Sequence, residues 1–215
     1  MSDMGTIQGF RQPLSPGQAV VAFDFDGTLT THDSFTALLR RRAGPVGWAM
    51  GLLALVPAAV SYAFNRDRGR IKAASVRHFL KNMTRTELEA EAEVFADAVW
   101  DDFIRPDALA CWKDWGTKGA HRVIVTASPA LTVAPFARRL GAEGLIGTQM
   151  AFDSQGRVTG AFTGPNCRGQ EKVLRLKAAY GDDMALTAAY GDTSGDTEML
   201  AMAQEAGFRV FAERP

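Results

Sequence analysis

Cysteine and histidine are scarce in this chain, with two and three copies in 215 residues. Cys111 and Cys167 form no CxxC pair and are too few for a disulfide scaffold, so a reducing compartment, the cytoplasm, is expected. His32, His78 and His121 show no metal-ligand spacing. Net charge is missing too, because 24 Lys and Arg balance 24 Asp and Glu. No global field exists to hold a polyanion, so nucleic acid is not an expected partner. The first eighteen residues have neither a basic n-region nor an apolar h-region, so residues 1–18 read as a flexible tail and not as a signal peptide. The remaining composition, 47% hydrophobic and 22% charged, is that of a globular protein and excludes wholesale disorder. The length suits one large domain or a core with an insert, and says nothing of oligomeric state.

Three short apolar runs end abruptly in polar residues: Ala19 to Phe23 before Asp24, Val123 to Ala127 before Ser128, and MALTAAY before GDTSGD. Unbroken apolarity points to strands buried on both faces, as in a parallel sheet. Ser128 followed by Pro129 reads as an N-cap and first helical residue. Helical stretches are expected at Asp107 to Lys118, Pro129 to Leu140 and Gln170 to Tyr180, with TEMLAMAQ as another helix and FRVF as a last short strand. Strands alternating with helices imply an α/β fold with a doubly wound, Rossmann-like parallel sheet. Ligands of such sheets bind beyond the carboxyl ends of the strands, where all three polar clusters fall. About ninety residues separate the first two strands, too many for one crossover. Their pattern is helical, with Thr84 and Glu87 set as a capping box, so residues 34–103 read as an inserted helical cap on a core of 19–33 and 104–215. A smaller insert, IGTQMAFDSQGRVTGAF, alternates around a turn and reads as a β-hairpin.

Asp24 and Asp26, two residues apart at the end of a buried strand, are costly unless a cation or proton compensates them. Loop acids forming Asx turns are the plainer alternative. A calcium loop fails, because Gly27 is the fourth residue from Asp24 and not the sixth. Asp192 and Asp196 form a second acidic cluster, for which Asp196 could equally cap a helix. Both clusters on one sheet edge describe a hard-cation site, for which magnesium is the expected occupant. Ser128 at the next strand end suits anionic oxygen. Lys172 begins a helix, where a surface lysine is the default reading.

The ordered set DFDGTLT, TAS, a lysine and GDTSGD resembles the haloacid-dehalogenase superfamily of aspartate-nucleophile phosphatases, from Val20 to the C-terminus. The cap between the first two motifs resembles the phosphoserine-phosphatase-like branch. The apolar cap and GPNCRGQEK resemble its phosphatidylglycerophosphatase C-like and related bacterial members. The resemblance implies that Asp24 is the nucleophile and Asp26 the acid and base. It implies that magnesium binds the Asp24 and Asp192 carboxylates and the Asp26 main-chain carbonyl. Ser128 and Lys172 would bind phosphoryl oxygens, Gly27 and Thr28 would shape the loop and offer N–H groups to phosphate, and Asp196 would support metal or lysine. Asp33 stands where phosphoserine phosphatases usually carry a glutamate that meets the substrate's ammonium, one methylene shorter here.

From Ala43 to Phe64 there is no charged side chain, and arginines at 40, 41, 42, 66, 68 and 70 flank the run. Length and flanks meet a crude transmembrane criterion. A single crossing would put Asp24 and Ser128 on opposite sides of the bilayer, so the segment must return. It reads either as a buried cap helix or as an interfacial element meeting anionic lipid at the inner membrane face. The expected function is magnesium-dependent hydrolysis of a phosphomonoester, with a lipid phosphate such as phosphatidylglycerophosphate and a small soluble ester such as phosphoserine as competing substrates. A phosphotransferase shares every motif, and a membrane-associated interaction protein without turnover is the alternative from another class. Cys167, inside GPNCRGQEK, is expected to line the site.

Overall fold

A computed structural model describes residues 13–65 and 68–215, so residues 1–12 of the expected tail and Arg66 lie outside the described residues. Strand β1 (Val20–Phe23) leads to helices α1 (Ser34–Ala54), α2 (Val56–Asn65), α3 (Arg68–Phe79), α4 (Arg85–Phe103) and α5 (Pro106–Thr117). Then follow β2 (His121–Pro129), α6 (Ala130–Leu140), β3 (Gly144–Thr148) and a hairpin of β4 (Met150–Phe152) and β5 (Val158–Phe162). The chain continues through α7 (Gln170–Tyr180), β6 (Leu186–Gly191), the short α8 (Thr197–Leu200) and β7 (Ala203–Phe208).

Five strands form one parallel sheet in the order β3-β2-β1-β6-β7. Central β1 explains its own apolarity. Val21 and Phe23 pack with Phe95, Trp112 and Phe136 from α4, α5 and α6, while Val20 and Ala22 pack with Leu176 and Met199 from α7 and α8. Alternate residues of one strand therefore serve two cores, and a polar residue on either face would be buried. The order of strands reverses direction around β1, which sets the ligand crevice beyond its carboxyl end.

Three boundaries differ from the sequence reading. The helix after β2 starts at Ala130 with Pro129 as its N-cap residue, and Ser128 remains strand. The Ser128 hydroxyl is not a cap because it is engaged elsewhere, as described below. The last strand is the polar AQEAGF and not FRVF, and the preceding helix is correspondingly cut to Thr197–Leu200. The residues IGT belong to β3 of the main sheet, so the hairpin is shorter than the alternation suggested.

Between β1 and β2 the helical insert has its own apolar cluster. Phe35 and Leu39 of α1, Val76 of α3 and Leu88 of α4 meet Leu131, Met150 and Val158. Gly160 lets the hairpin lie flat on α3, since a Cβ there would sit 2.8 Å from the Arg77 Cα. Thr84 and Glu87 form the expected capping box. The apolar stretch is interrupted at Gly44, whose φ of 65° breaks the helix just before Pro45. No described helix is long and apolar enough to cross a membrane.

Candidate active site

The loop after β1 turns sharply at Gly27, where φ is 86°. That turn leaves Asp24 and Asp26 at the edge of the sheet beside the ends of β2 and β6. Asp24 is joined to β6 through its own N–H, which donates to the Tyr190 carbonyl at 2.9 Å. Gly27 is also required by space: a Cβ would lie 2.4 Å from Asp192 Oδ2. Thr28 Oγ1 donates to the other oxygen of that carboxylate at 3.3 Å, and the Thr28 N–H is spent on Phe25. Gly27 and Thr28 thus shape the place where Asp192 sits.

Lys172 is not a surface lysine. It is 1% exposed, at the start of α7, and its ammonium donates to Asp24 Oδ1 at 2.6 Å, Asp196 Oδ1 at 2.7 Å and the Val125 carbonyl at 2.6 Å. One group thereby ties the ends of β1, β2 and the loop after β6 to a single point. Burial works against the ammonium, yet the two carboxylates outweigh it and raise its pKa above the ordinary lysine value. Burial pushes Asp24 up to about 7 despite the opposing pull of Lys172. For Asp196 burial again disfavours ionisation, but Lys172 and the Thr193 N–H, which donates at 2.9 Å, hold the carboxyl below its usual range. Asp196 is the N-cap residue of α8 by position only, with no side-chain cap bond.

Asp26 faces the other way. Its Oδ2 accepts from Ser128 Oγ at 2.5 Å and its Oδ1 from the Ser34 N–H at 2.7 Å. Burial, then the charge of Asp33, raise its pKa. Asp33 is an exposed N-cap of α1, with Oδ1 accepting from the Thr36 N–H at 2.7 Å, and it stands on the wall of the same cavity.

Asp24, Asp192 and Asp196 each offer an oxygen within 4.8 Å of the others. The Asp192 carboxylate forms no ion pair among the described residues, although Arg209 donates to its main-chain carbonyl at 2.7 Å, and burial and then Asp196 raise its pKa. Oxygen-only donors, crowded carboxylates and the space kept open by Gly27 fit a hard divalent cation.

The cavity above these groups has a volume of about 410 Å³. Its walls bring in residues that the sequence reading did not single out as site residues: Lys72 from α3, Trp48 from α1, and Asn166 and Arg168 from the loop before α7. Asn166 and Arg168 belong to the GPNCRGQEK segment noted for its resemblance, but Cys167 in that segment points away. Its side chain is fully buried in the core beneath the sheet, with its pKa raised by burial to about 11, and it does not line the cavity.

A model of the haloacid dehalogenase-like hydrolases matches residues 21–201, and the chain belongs to that family. The chain is 57% identical to protein CicA of Caulobacter vibrioides over 196 residues, covering 91% of this chain and 88% of that protein. Among solved structures, a protein with unknown function from Bordetella pertussis Tohama I is similar, with a TM-score of 0.73 and 24% identity over 88% of each chain. A substrate-bound phosphoserine phosphatase is similar with a TM-score of 0.58 and 18% identity, over 89% of this chain and 85% of that one. The enzyme is thus a hydrolase whose fold is that of a phosphatase.

Proposed function

We propose that this enzyme is a magnesium-dependent phosphomonoester hydrolase that works through an aspartyl-phosphate on Asp24. The observation that carries the reading is the Lys172 ammonium, held by Asp24 and Asp196 at the carboxyl edge while Asp26 is turned toward Ser128. This arrangement separates a nucleophile held beside a cation from an acid held beside a hydroxyl.

An Asp24 carboxylate oxygen attacks phosphorus as the bond to the ester oxygen breaks. The departing oxygen keeps the electron pair and takes the proton of Asp26, whose raised pKa favours the protonated form. In the second half Asp26 takes a proton from water, the water oxygen attacks phosphorus, and the Asp24 carboxylate leaves with its electron pair. Lys172 and Ser128 bind the phosphoryl oxygens on which transition-state charge is spread, and Asp196 orients Lys172. Magnesium, held by the Asp24 and Asp192 carboxylates and the Asp26 carbonyl, would offset the repulsion between anionic nucleophile and anionic phosphate. Residues 34–103 act as a cap on the core of 19–33 and 104–215.

The substrate favoured is a lipid phosphate such as phosphatidylglycerophosphate, handled at the cytoplasmic face of the inner membrane. Val46, Met50 and Leu53 on the helix after Gly44 are 74%, 64% and 73% exposed, close in sequence to the exposed Arg40 and Arg41. An apolar surface next to arginines suits anionic headgroups. Trp48, on the same helix, lines the cavity, so the exposed segment and the active-site wall are one element. A soluble ester such as phosphoserine is the second reading, favoured by the carboxylate of Asp33 on the cavity wall.

Purified protein should release phosphate from a phosphomonoester with magnesium and not with a chelator, and Asp24→Asn should abolish release. Full activity in Asp24→Asn would overturn the proposal. Replacing Val46, Met50 and Leu53 by Ser should lower activity on a vesicle-borne phosphate relative to a soluble one. An unchanged ratio, without sedimentation on anionic vesicles, would favour the soluble ester.

A further inference from the structure

Resting on that phosphatase reading, we propose that Lys72 and Arg168 form a subsite for a second anionic group, carried by the substrate's leaving group. Both line the 410 Å³ cavity from different parts of the fold, Lys72 from α3 of the helical insert and Arg168 from the loop before α7. The two differ from Lys172 in what neutralises them. Lys172 is matched by two carboxylates at contact. The Lys72 ammonium donates to the Ala127 carbonyl at 2.9 Å, and Arg168 donates to Thr193 Oγ1 at 3.1 Å and Ser194 Oγ at 2.9 Å. All three acceptors are neutral, and among the described residues neither cation forms an ion pair.

Both side chains are half-buried, and a partly desolvated cation without a contacting anion is stabilised when an anionic ligand completes the site. Burial lowers the Lys72 pKa, against the pull of Asp26, Asp33 and Asp24. The transferred phosphoryl group already has Lys172, Ser128 and the cation site. Lys72 and Arg168 are therefore surplus to it, and they suit charge on the part of the substrate that departs. Phe35, Leu39, Trp48 and Ile71 on the same cavity supply an apolar wall for the carbon skeleton between the two anions. Two sources share this chemistry: a carboxylate on a small organic phosphate, or the phosphodiester of a lipid phosphomonoester.

Two matched pairs of substrates separate the sources. Glycerol 3-phosphate and 3-phosphoglycerate differ by a carboxylate, while phosphatidic acid and phosphatidylglycerophosphate in the same detergent micelles differ by a phosphodiester. For each pair kcat/KM is measured with wild type, Lys72→Met, Lys72→Arg and Arg168→Met, alongside thermal unfolding as a folding control. In the pair that matches the natural source, Lys72→Met should lower the preference for the more anionic member by about tenfold or more, the expected loss when one partner of a desolvated charge pair is removed. Arg168→Met should act in the same direction, and Lys72→Arg should restore most of the preference. Equal losses on both members of both pairs would overturn the subsite while leaving the phosphatase standing. A wild type that hydrolyses only the less anionic member of each pair would overturn it also. No phosphate release from any phosphomonoester, with magnesium present and the protein folded, would instead bring down the reading on which the subsite rests.

Discussion

Replacing Lys172 by Met keeps the length and bulk of the side chain and removes its charge. In the wild type this ammonium, 1% exposed, is hydrogen-bonded to Asp24 at 2.6 Å and Asp196 at 2.7 Å, both buried. Taking away one partner of a buried charge cluster costs about 3–5 kcal/mol, because the remaining charges keep their desolvation penalty. For a chain of this size each kcal/mol moves the melting temperature by roughly 2–4 °C, so a fall of about 6–20 °C is expected. The assay is thermal and urea unfolding in the presence of a chelator, so that no divalent cation takes the lysine's place. The deficit should also depend on pH. Without Lys172, burial and mutual repulsion raise the folded-state pKa values of Asp24 and Asp196 above the unfolded values. Groups raised in this way are stabilising relative to their ionised forms below the unfolded pKa, and that advantage is lost as pH rises through the folded pKa. The gap between variant and wild type should therefore be small in acid and widen toward neutrality and above. Adding Asp24→Asn to Lys172→Met should recover part of the loss, since one of the two stranded charges is gone. A variant within about 1 kcal/mol of wild type, or a deficit independent of pH, would refute the view that this lysine holds the site together.

Gly27→Ala should destabilise the protein by about 1–2 kcal/mol through its left-handed backbone alone. Because the added Cβ also collides with Asp192 Oδ2, it should raise the magnesium concentration needed for half-maximal activity, read from metal titrations. Asp26→Asn keeps the main-chain carbonyl but loses the proton, so the rate should fall by ~10²–10⁴ with little change in magnesium requirement. Asp192→Asn should do the opposite, shifting the magnesium titration more than the rate at saturating metal. Equal shifts in both variants would contradict this division.

The parts of the molecule legible in the sequence are those whose cause is local. The apolar runs of β1, β2 and β6 are buried on both faces, and the helix Gln170–Tyr180 and the capping box at Thr84 carry their own signals. Asp24, Asp26, Ser128 and Asp192 are legible because each marks the end of such a run. The rest depends on tertiary context. Edge strand β7 reads AQEAGF and is mostly exposed, so it is defined by its backbone ladder to β6 and not by apolar pattern. Gly207 opposite Tyr190 adds a spatial reason, since a Cβ there would lie 2.5 Å from the tyrosine ring. Ser128 reads as a helix cap because Ser-Pro usually is one, yet the Asp26 carboxylate 102 residues away claims its hydroxyl. Lys72 and Arg168 are single cations in ordinary surroundings, and only the packing of the insert and the loop before α7 brings them to one cavity. The run from Ala43 to Phe64 looks like a span by composition, but the helix breaks at Gly44 and ends again at Leu55, which leaves shorter helical pieces.

The central claim is that Asp24 carries the phosphoryl group. Acid quenching during turnover of a labelled phosphomonoester, followed by borohydride reduction and peptide mass mapping, tests it directly. The account predicts an acid-stable, base-labile phosphoryl on the wild type that reduction converts to homoserine at position 24, and none on Asp24→Asn. Steady turnover with no covalent phosphoryl, or a phosphoryl group mapped to any other side chain, would contradict it.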